Sequence, residues 1–349
     1  MKIESANARD EALNQDPMGS AALPTDPNSG PDALGIRMDK IVRSVLVFLI
    51  AGTVLYAAVT IGSGYESTVN ALEGFSGRTL LLVLALVVVG WILRGLRFLY
   101  YLKVIGDPVP AAYGLAVFIA SFALTGTPGK MGEAAKGFFL KRDYGIPMTR
   151  VIGVLVVERL MDLWGVLVLC SFSFLLFDRW RSLFLICAAV TVAGGACLCM
   201  ESLYRPLLER MSKIRVLSWV SDKALGILLT GRDLMTPRIF AVGLVLSVVA
   251  WGLEAVCFYL ILQGLGLSAT LLQANFAYSF STLIGALSML PGGIGGAEAG
   301  MLGLLAIMGI SYSSALPAVL LIRVCTLWFA VAVGAVLTAW LLLRSRERR

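Results

Sequence analysis

The sequence predicts an all-α polytopic membrane protein with about six full spans and two re-entrant or broken helical hairpins, arranged as inverted repeats. Three observations carry that prediction. Of 349 residues, 58% are hydrophobic and 15% charged, and the mean hydropathy is +0.85, far outside the range of a soluble domain. Residues 239–343 contain only three charged side chains, Glu254, Glu298 and Arg323, in a stretch several times longer than the roughly 20 residues that cross a bilayer. Finally, the chain repeats itself, and each copy is interrupted by a Pro-Gly break.

In chain order, residues 1–38 are polar and rich in Pro, Gly, Asp, Asn and Ser without an apolar core, which predicts a disordered cytoplasmic tail rather than a signal peptide. A single membrane domain is expected over 39–343. Apolar windows at 41–61, 79–102, 151–177, 182–200, 239–262 and 315–343 are long enough for full spans. Two others, 111–140 and 271–310, are cut by Pro128-Gly129 and Pro291-Gly292-Gly293. Lipid tolerates such breaks only where protein covers the freed backbone groups. Segment 201–238 alternates leucines with basic residues and reads either as an amphipathic helix on the inner leaflet or as an ordinary connector. Residues 344–349 form a basic tail.

Basic residues set the orientation. Lys40, Arg43, Lys141, Arg142, Arg150, the segment 205–238 and the terminal arginines mark the cytoplasm, whereas 62–77, 264–270 and 309–314 carry no Lys or Arg. Both termini are therefore expected in the cytoplasm, in a bacterial inner membrane. Arg179 and Arg181 fall on the outer side as a local exception. Trp180, Trp219 and Tyr204 stand near loop ends, as interfacial anchors do.

A search for internal repeats finds Gly145-Ile146-Pro147 again as Gly309-Ile310-Ser311, Arg159 as Arg323 and Leu163-Trp164 as Leu327-Trp328, at one spacing (309 − 145 = 164). Pro128-Gly129 recurs as Pro291-Gly292, Trp91 as Trp251 and Gly106 as Gly266 with a drift of a few residues. The repeats cover about 79–177 and 239–343. The charge-derived orientation runs the first copy from outside to inside at Trp91 and the second from inside to outside at Trp251. Inverted repeats with paired broken helices are an architecture of secondary transporters.

Several functions are excluded or disfavoured. There is no histidine, so histidine-based catalysis and His-ligated zinc are ruled out. The six cysteines all lie in apolar runs and read as small packing residues. The net charge of +7 sits in loops between apolar runs, which fits positive-inside topology rather than nucleic-acid binding. The Gly-rich break is not a Walker loop. No cofactor or metal is expected, and nothing in the sequence fixes an oligomeric state.

The charged residues inside apolar runs are the candidates for function, because an intramembrane charge is expensive. The first break, Pro128, Gly129, Lys130, Gly132 and Glu133, precedes Lys136. A half-helix starting there would direct free N–H groups and Lys130 at an anion. The plainer reading of Glu133 and Lys136 is a solvated i,i+3 pair near the cytoplasm. The second break, Pro291, Gly292, Gly293, Gly295 and Gly296, leads to Glu298. Its glycines allow positive φ and close approach, or tight helix packing. Arg94 and Arg97 share a face of the second span, where snorkelling to the interface is the alternative. Glu158, Arg159 and Asp162 form a patch on one span, with Arg323 at the Arg159 position of the second repeat and Glu254 at the Arg94 position. Near balance of these cations and carboxylates suggests internal pairing.

Taken together, Arg94 with Arg97, Ser121, Pro128-Gly129-Lys130-x-Gly132-Glu133-x-x-Lys136, Glu158-Arg159-x-x-Asp162 and Leu290-Pro291-Gly292-Gly293-Ile294-Gly295-Gly296-x-Glu298 resemble the lysylphosphatidylglycerol synthase transmembrane region, also called the flippase-like domain family. The resemblance spans about 41–343. It implies movement of a lipid between leaflets, as this region of the two-part synthases is thought to do with aminoacylated phosphatidylglycerol. Aminoacyl transfer in those proteins belongs to a separate soluble domain, which is expected to be missing here. Standalone relatives are associated with export of lipids or lipid-linked intermediates.

The expected function is thus a translocator of a phospholipid or lipid-linked anionic intermediate. Lys130, Arg94 and Arg159 would receive the phosphate, and Glu133 and Glu298 the cationic part of the lipid or a coupling proton or ion. With no ATPase domain, an ion gradient or the lipid's own gradient would drive transport. The competing readings are an intramembrane enzyme with Glu133 and Asp162 as acid and base, and an assembly partner of a lipid-modifying complex.

Overall fold

The computed structural model describes residues 69–70, 72–125, 133, 135–172, 181–213, 218–288 and 290–347. The expected first span at 41–61, the loop 173–180 and most of the first break, including Pro128, Gly129, Lys130 and Gly132, lie outside the described residues. All regular structure among the described residues is helical. Lipid enforces this, since a helix satisfies its backbone groups within one segment.

The first series of elements is α1 (Gly77–Val104), α2 (Ala111–Ala120) continued by a 3₁₀ turn (Ser121–Leu124), α3 (Ala135–Tyr144) and α4 (Met148–Ser171). Next come α5 (Arg181–Cys199), α6 (Glu201–Ser212) and α7 (Ser218–Asp233). The second series is α8 (Pro237–Gly264), α9 (Leu271–Leu287), a 3₁₀ turn (Pro291–Gly293), α10 (Gly296–Ile307), α11 (Tyr312–Arg323), a π turn (Val324–Trp328) and α12 (Phe329–Glu347). Both series read long helix, shorter helix, short helix, long helix. Positive-φ glycines close matching helices, Gly106 after α1 and Gly266 after α8, Gly145 after α3 and Gly309 after α10. Only glycine ends a helix in that conformation without steric penalty.

Three helical segments are long and apolar enough to cross a membrane: α1, α8 and the run Tyr312–Arg344. The last contains Pro317 and the π turn yet continues as one rod. Helix α4 has comparable length, but Glu158, Arg159 and Asp162 interrupt its apolar character.

The core forms around the crossing of α1 and α8. Val83 O accepts from Cys257 Sγ at 3.5 Å, Gly90 faces the Ala250 carbonyl, and Gly243 faces Tyr101. Residues near the start of one helix thus meet residues near the end of the other, so the two run antiparallel. Small residues allow this approach. In the same way Gly165 of α4 sits on Ser247 of α8, and Gly334 of α12 lies against the backbone of Ala123. Helices α9 and α10 fold back on one another, with Gly285 beside Ala297 and Gly300 beside Ser281. In the first series Tyr113 of α2 reaches Phe139 O and Asp143 of α3, at 3.2 and 2.5 Å.

Segment 201–238 resolves into α6 and α7, joined by Ser221 Oγ donating to Leu208 O at 2.6 Å. Helix α7 packs on α4, where Gly153 meets Ile227 and Thr230. The connector therefore uses its apolar face against the bundle. Tyr204 is buried in this layer rather than anchored at an interface, because α6 turns its apolar side inward. The side chains of Trp180 and Trp219 lie outside the described set.

Candidate functional site

Helices α1, α4, α8 and α11 carry most of the intramembrane charges, and the fold brings most of these together. Arg94 of α1 pairs with Glu254 of α8, whose second oxygen accepts from Tyr278 of α9 at 2.5 Å. One turn further along α1, Arg97 donates to Asp162 of α4 at 2.8 Å and to Ser247 of α8. Ser247 also bonds the same Asp162 oxygen at 3.2 Å. Arg159 joins Glu133 and lies 3.4 Å from Asp162. In the second series Arg323 of α11 holds Glu298 at 2.7 Å and the Gly292 carbonyl at 2.7 Å. Glu298 in turn accepts from Gly295 N–H at 2.8 Å, at the start of α10.

The turn at Pro291–Gly293 explains this last cluster. Gly292, Gly293 and Gly295 all have positive φ, 62°, 68° and 88°, which frees the Gly292 carbonyl from the helical ladder and sets Glu298 over the new N-terminus. A carboxylate there satisfies an orphan donor and complements the helix dipole.

These residues surround a cavity of about 380 Å³. Its polar wall includes Arg94, Arg97, Arg159, Arg323, Glu133, Asp162, Glu254 and Tyr278, and its apolar wall includes Trp91, Phe118, Phe122, Trp251 and Leu283. Gly292 and Gly293 contribute backbone. The exposed residues Ala286 and Leu290 stand at its edge beside the second turn. The Arg94 guanidinium lies over the Trp251 ring, 4.5 Å from its centroid, whereas Trp91 packs edge-on against Phe122 and tilted on Phe329.

Three expectations change. Glu133 and Lys136 do not form a solvated pair: both are buried, Lys136 at 1% exposure. Lys136 bonds Glu158 at 2.9 Å, with Glu133 at 3.9 Å, and lies over Phe98 and Phe118. Lys136 of α3 thus faces α4, α1 and α2 rather than water. Nor does Arg97 snorkel, being 1% exposed because Asp162 and Ser247 hold it inside. Lys136, Glu158 and Glu298 are placed behind the cavity wall rather than in it. Ser121 is buried too, donating to Phe118 O at 2.6 Å.

Trp251, Tyr278 and Ser247 were not legible as site residues. Trp251 served only to align the repeats. A hydroxyl in an apolar run, as at Ser247 and Tyr278, was the available signal for the other two.

A helical bundle with apolar spans, a glycine-rich turn and buried ion pairs around a small cavity defines a polytopic membrane protein with a polar intramembrane site. The chain belongs to the lysylphosphatidylglycerol synthase TM region family, whose profile matches residues 41–334. It is similar to a UPF0104 membrane protein of Methanothermobacter thermautotrophicus, 23% identical over 297 residues that cover 77% of this chain and 85% of the relative. A UPF0104 membrane protein of Pyrococcus horikoshii is 23% identical over 325 residues, 83% of this chain and 95% of the relative. One from Methanocaldococcus jannaschii is 22% identical over 222 residues, 60% and 90% respectively. These relatives are archaeal, so the similarity carries a membrane location but not a bacterial one.

Proposed function

We propose that the protein translocates a phospholipid or lipid-linked anionic intermediate between leaflets. The observation that carries this reading is the cavity, where arginines of both element series, Arg94, Arg97 and Arg159 from the first and Arg323 from the second, meet around one space of about 380 Å³. That volume is at the low end of ligand pockets, roughly 300–1,000 Å³. It has room for a polar head group, with acyl chains left in the bilayer. Buried guanidinium groups are suited to phosphate oxygens by their fork of donors.

The antiparallel crossing of α1 and α8 supports the inverted arrangement. Equivalent helices of two inverted halves must run in opposite directions, and a pseudo-two-fold axis would pass near Gly90 and Ala250, which face each other. Related halves of opposite orientation give inward- and outward-open states of similar energy. The basic loop residues support cytoplasmic termini and a location in the cytoplasmic membrane.

The test is reconstitution into vesicles with acyl-labelled phospholipids. Exchange between leaflets above that of protein-free vesicles, without a new lipid product, supports translocation. A new product would instead favour an enzyme, and neither result an assembly role.

A further inference from the structure

Buried polar atoms that lack partners identify what a ligand must supply. Among the described residues, four such N–H donors belong to side chains on the cavity wall: Nε of Arg94, Arg97 and Arg159, and Nε1 of Trp251. Among the buried side-chain acceptors of the described wall residues, Asp162 Oδ2 is the one without a hydrogen bond, and Arg159 lies beside it at 3.4 Å. The remaining wall carboxylates already accept from Arg94, Arg159 and Tyr278. A buried donor without a partner is destabilising, and buried donors in folded proteins are nearly always satisfied. An excess of donors calls for a ligand made of acceptors.

Trp251 is the informative member. It is 7% exposed, its face is occupied by Arg94, and its indole N–H is the sole neutral donor of the four. Its counterpart Trp91 is committed to an aromatic cluster instead. Trp164 supplies a contrast, since its indole N–H is also buried without a partner but it packs edge-on against Phe240 and does not line the cavity.

We propose that Trp251 is a specificity-determining residue, donating its indole N–H to a phosphodiester oxygen while its ring holds Arg94 against the same group. The cavity then reads the phosphodiester and is indifferent to a terminal amine. This rests on the translocator reading for its biological meaning but not for its test.

The full chain in detergent is titrated with dihexanoylphosphatidylglycerol, dihexanoylphosphatidylethanolamine and dihexanoylglycerol. Both phosphodiesters are expected to bind with dissociation constants within about threefold of one another, and the phosphate-free lipid not to bind. Trp251→Phe keeps an aromatic face and removes the donor, so it is expected to weaken both phosphodiesters about tenfold, the scale of one hydrogen bond to a charged acceptor. Trp164→Phe is expected to bind as the native chain does. The Trp251 indole proton signal of the native chain, assigned with the variant, is expected to move on addition of either phosphodiester and not with dihexanoylglycerol, which reports the contact without depending on the variant's fold. Equal binding of dihexanoylglycerol, native-like binding by Trp251→Phe or an unmoved indole signal overturns the proposal. Leaflet exchange that persists after such a failure leaves the translocator reading standing. Binding as expected without exchange removes that reading and leaves the subsite.

Discussion

Arg94 and Glu254 occupy the same position of the two element series, 160 residues apart, and form an ion pair with each other. The two residues meet because α1 and α8 run antiparallel and cross there. The pair therefore ties α1 to α8 at their crossing, with Tyr278 bracing the carboxylate and Trp251 backing the guanidinium.

Breaking that pair from one side leaves a buried charge uncompensated, an effect of about 3–5 kcal/mol. Glu254→Ala is expected to lower the melting temperature in detergent clearly. The exchanged variant Arg94→Glu/Glu254→Arg is expected to regain at least half of the loss. A double variant no more stable than the single one would show that the contact contributes little.

Glu298 has two roles that substitution can separate. Glu298→Gln retains an oxygen for the Gly295 N–H but loses the charge that holds Arg323. Glu298→Ala loses both, with an added helix-cap effect of about 0.5–2 kcal/mol. Leaflet exchange is expected to fall about tenfold or more in both, while only the alanine variant melts appreciably lower. Unchanged exchange in Glu298→Gln would show that the hold of Glu298 on Arg323 plays no part in transport.

Lys136 and Glu158 are expected to behave as structure. They pair at 2.9 Å behind the cavity, each 1% exposed. Replacing a buried ion pair with apolar side chains of similar volume is often neutral or stabilising, whereas removing one partner is not. Lys136→Ala should therefore destabilise by several kcal/mol. Lys136→Met/Glu158→Leu should fold and retain leaflet exchange within about threefold. Loss of exchange in a well-folded double variant would return this pair to the functional set.

Gly334 tests the packing of the second series on the first. A Cβ there would lie 2.5 Å from the backbone nitrogen of Ala123 and 2.9 Å from the Ile119 carbonyl. Backbone cannot swing aside as a side chain does, so Gly334→Ala is expected to destabilise by about 1–3 kcal/mol, read by thermal melting. Gly303, with open space around it, should accept alanine with little change.

Much of this architecture was legible because lipid leaves few alternatives. Long apolar runs become α1, α8 and the run through α11 and α12, and glycines at the repeat positions end the helices as the spacing implies. The pairing pattern was less legible. Glu254 could be placed at the Arg94 position, but their contact with each other depends on an antiparallel crossing that no single half reveals. The division of α4 was hidden as well. Glu158 and Asp162 are four residues apart, yet Glu158 turns to Lys136 and Asp162 to Arg97, because different helices cover their two sides. Nor does the sequence announce the π turn after Arg323, since Arg159 lies in regular helix.

The most direct test of the account is leaflet exchange of acyl-labelled phospholipids in vesicles containing the full chain. The account predicts exchange well above protein-free vesicles, no chemical change in the lipid, and about tenfold or greater loss in Glu298→Gln. Exchange no faster than in protein-free vesicles, with the protein folded and inserted, would contradict it.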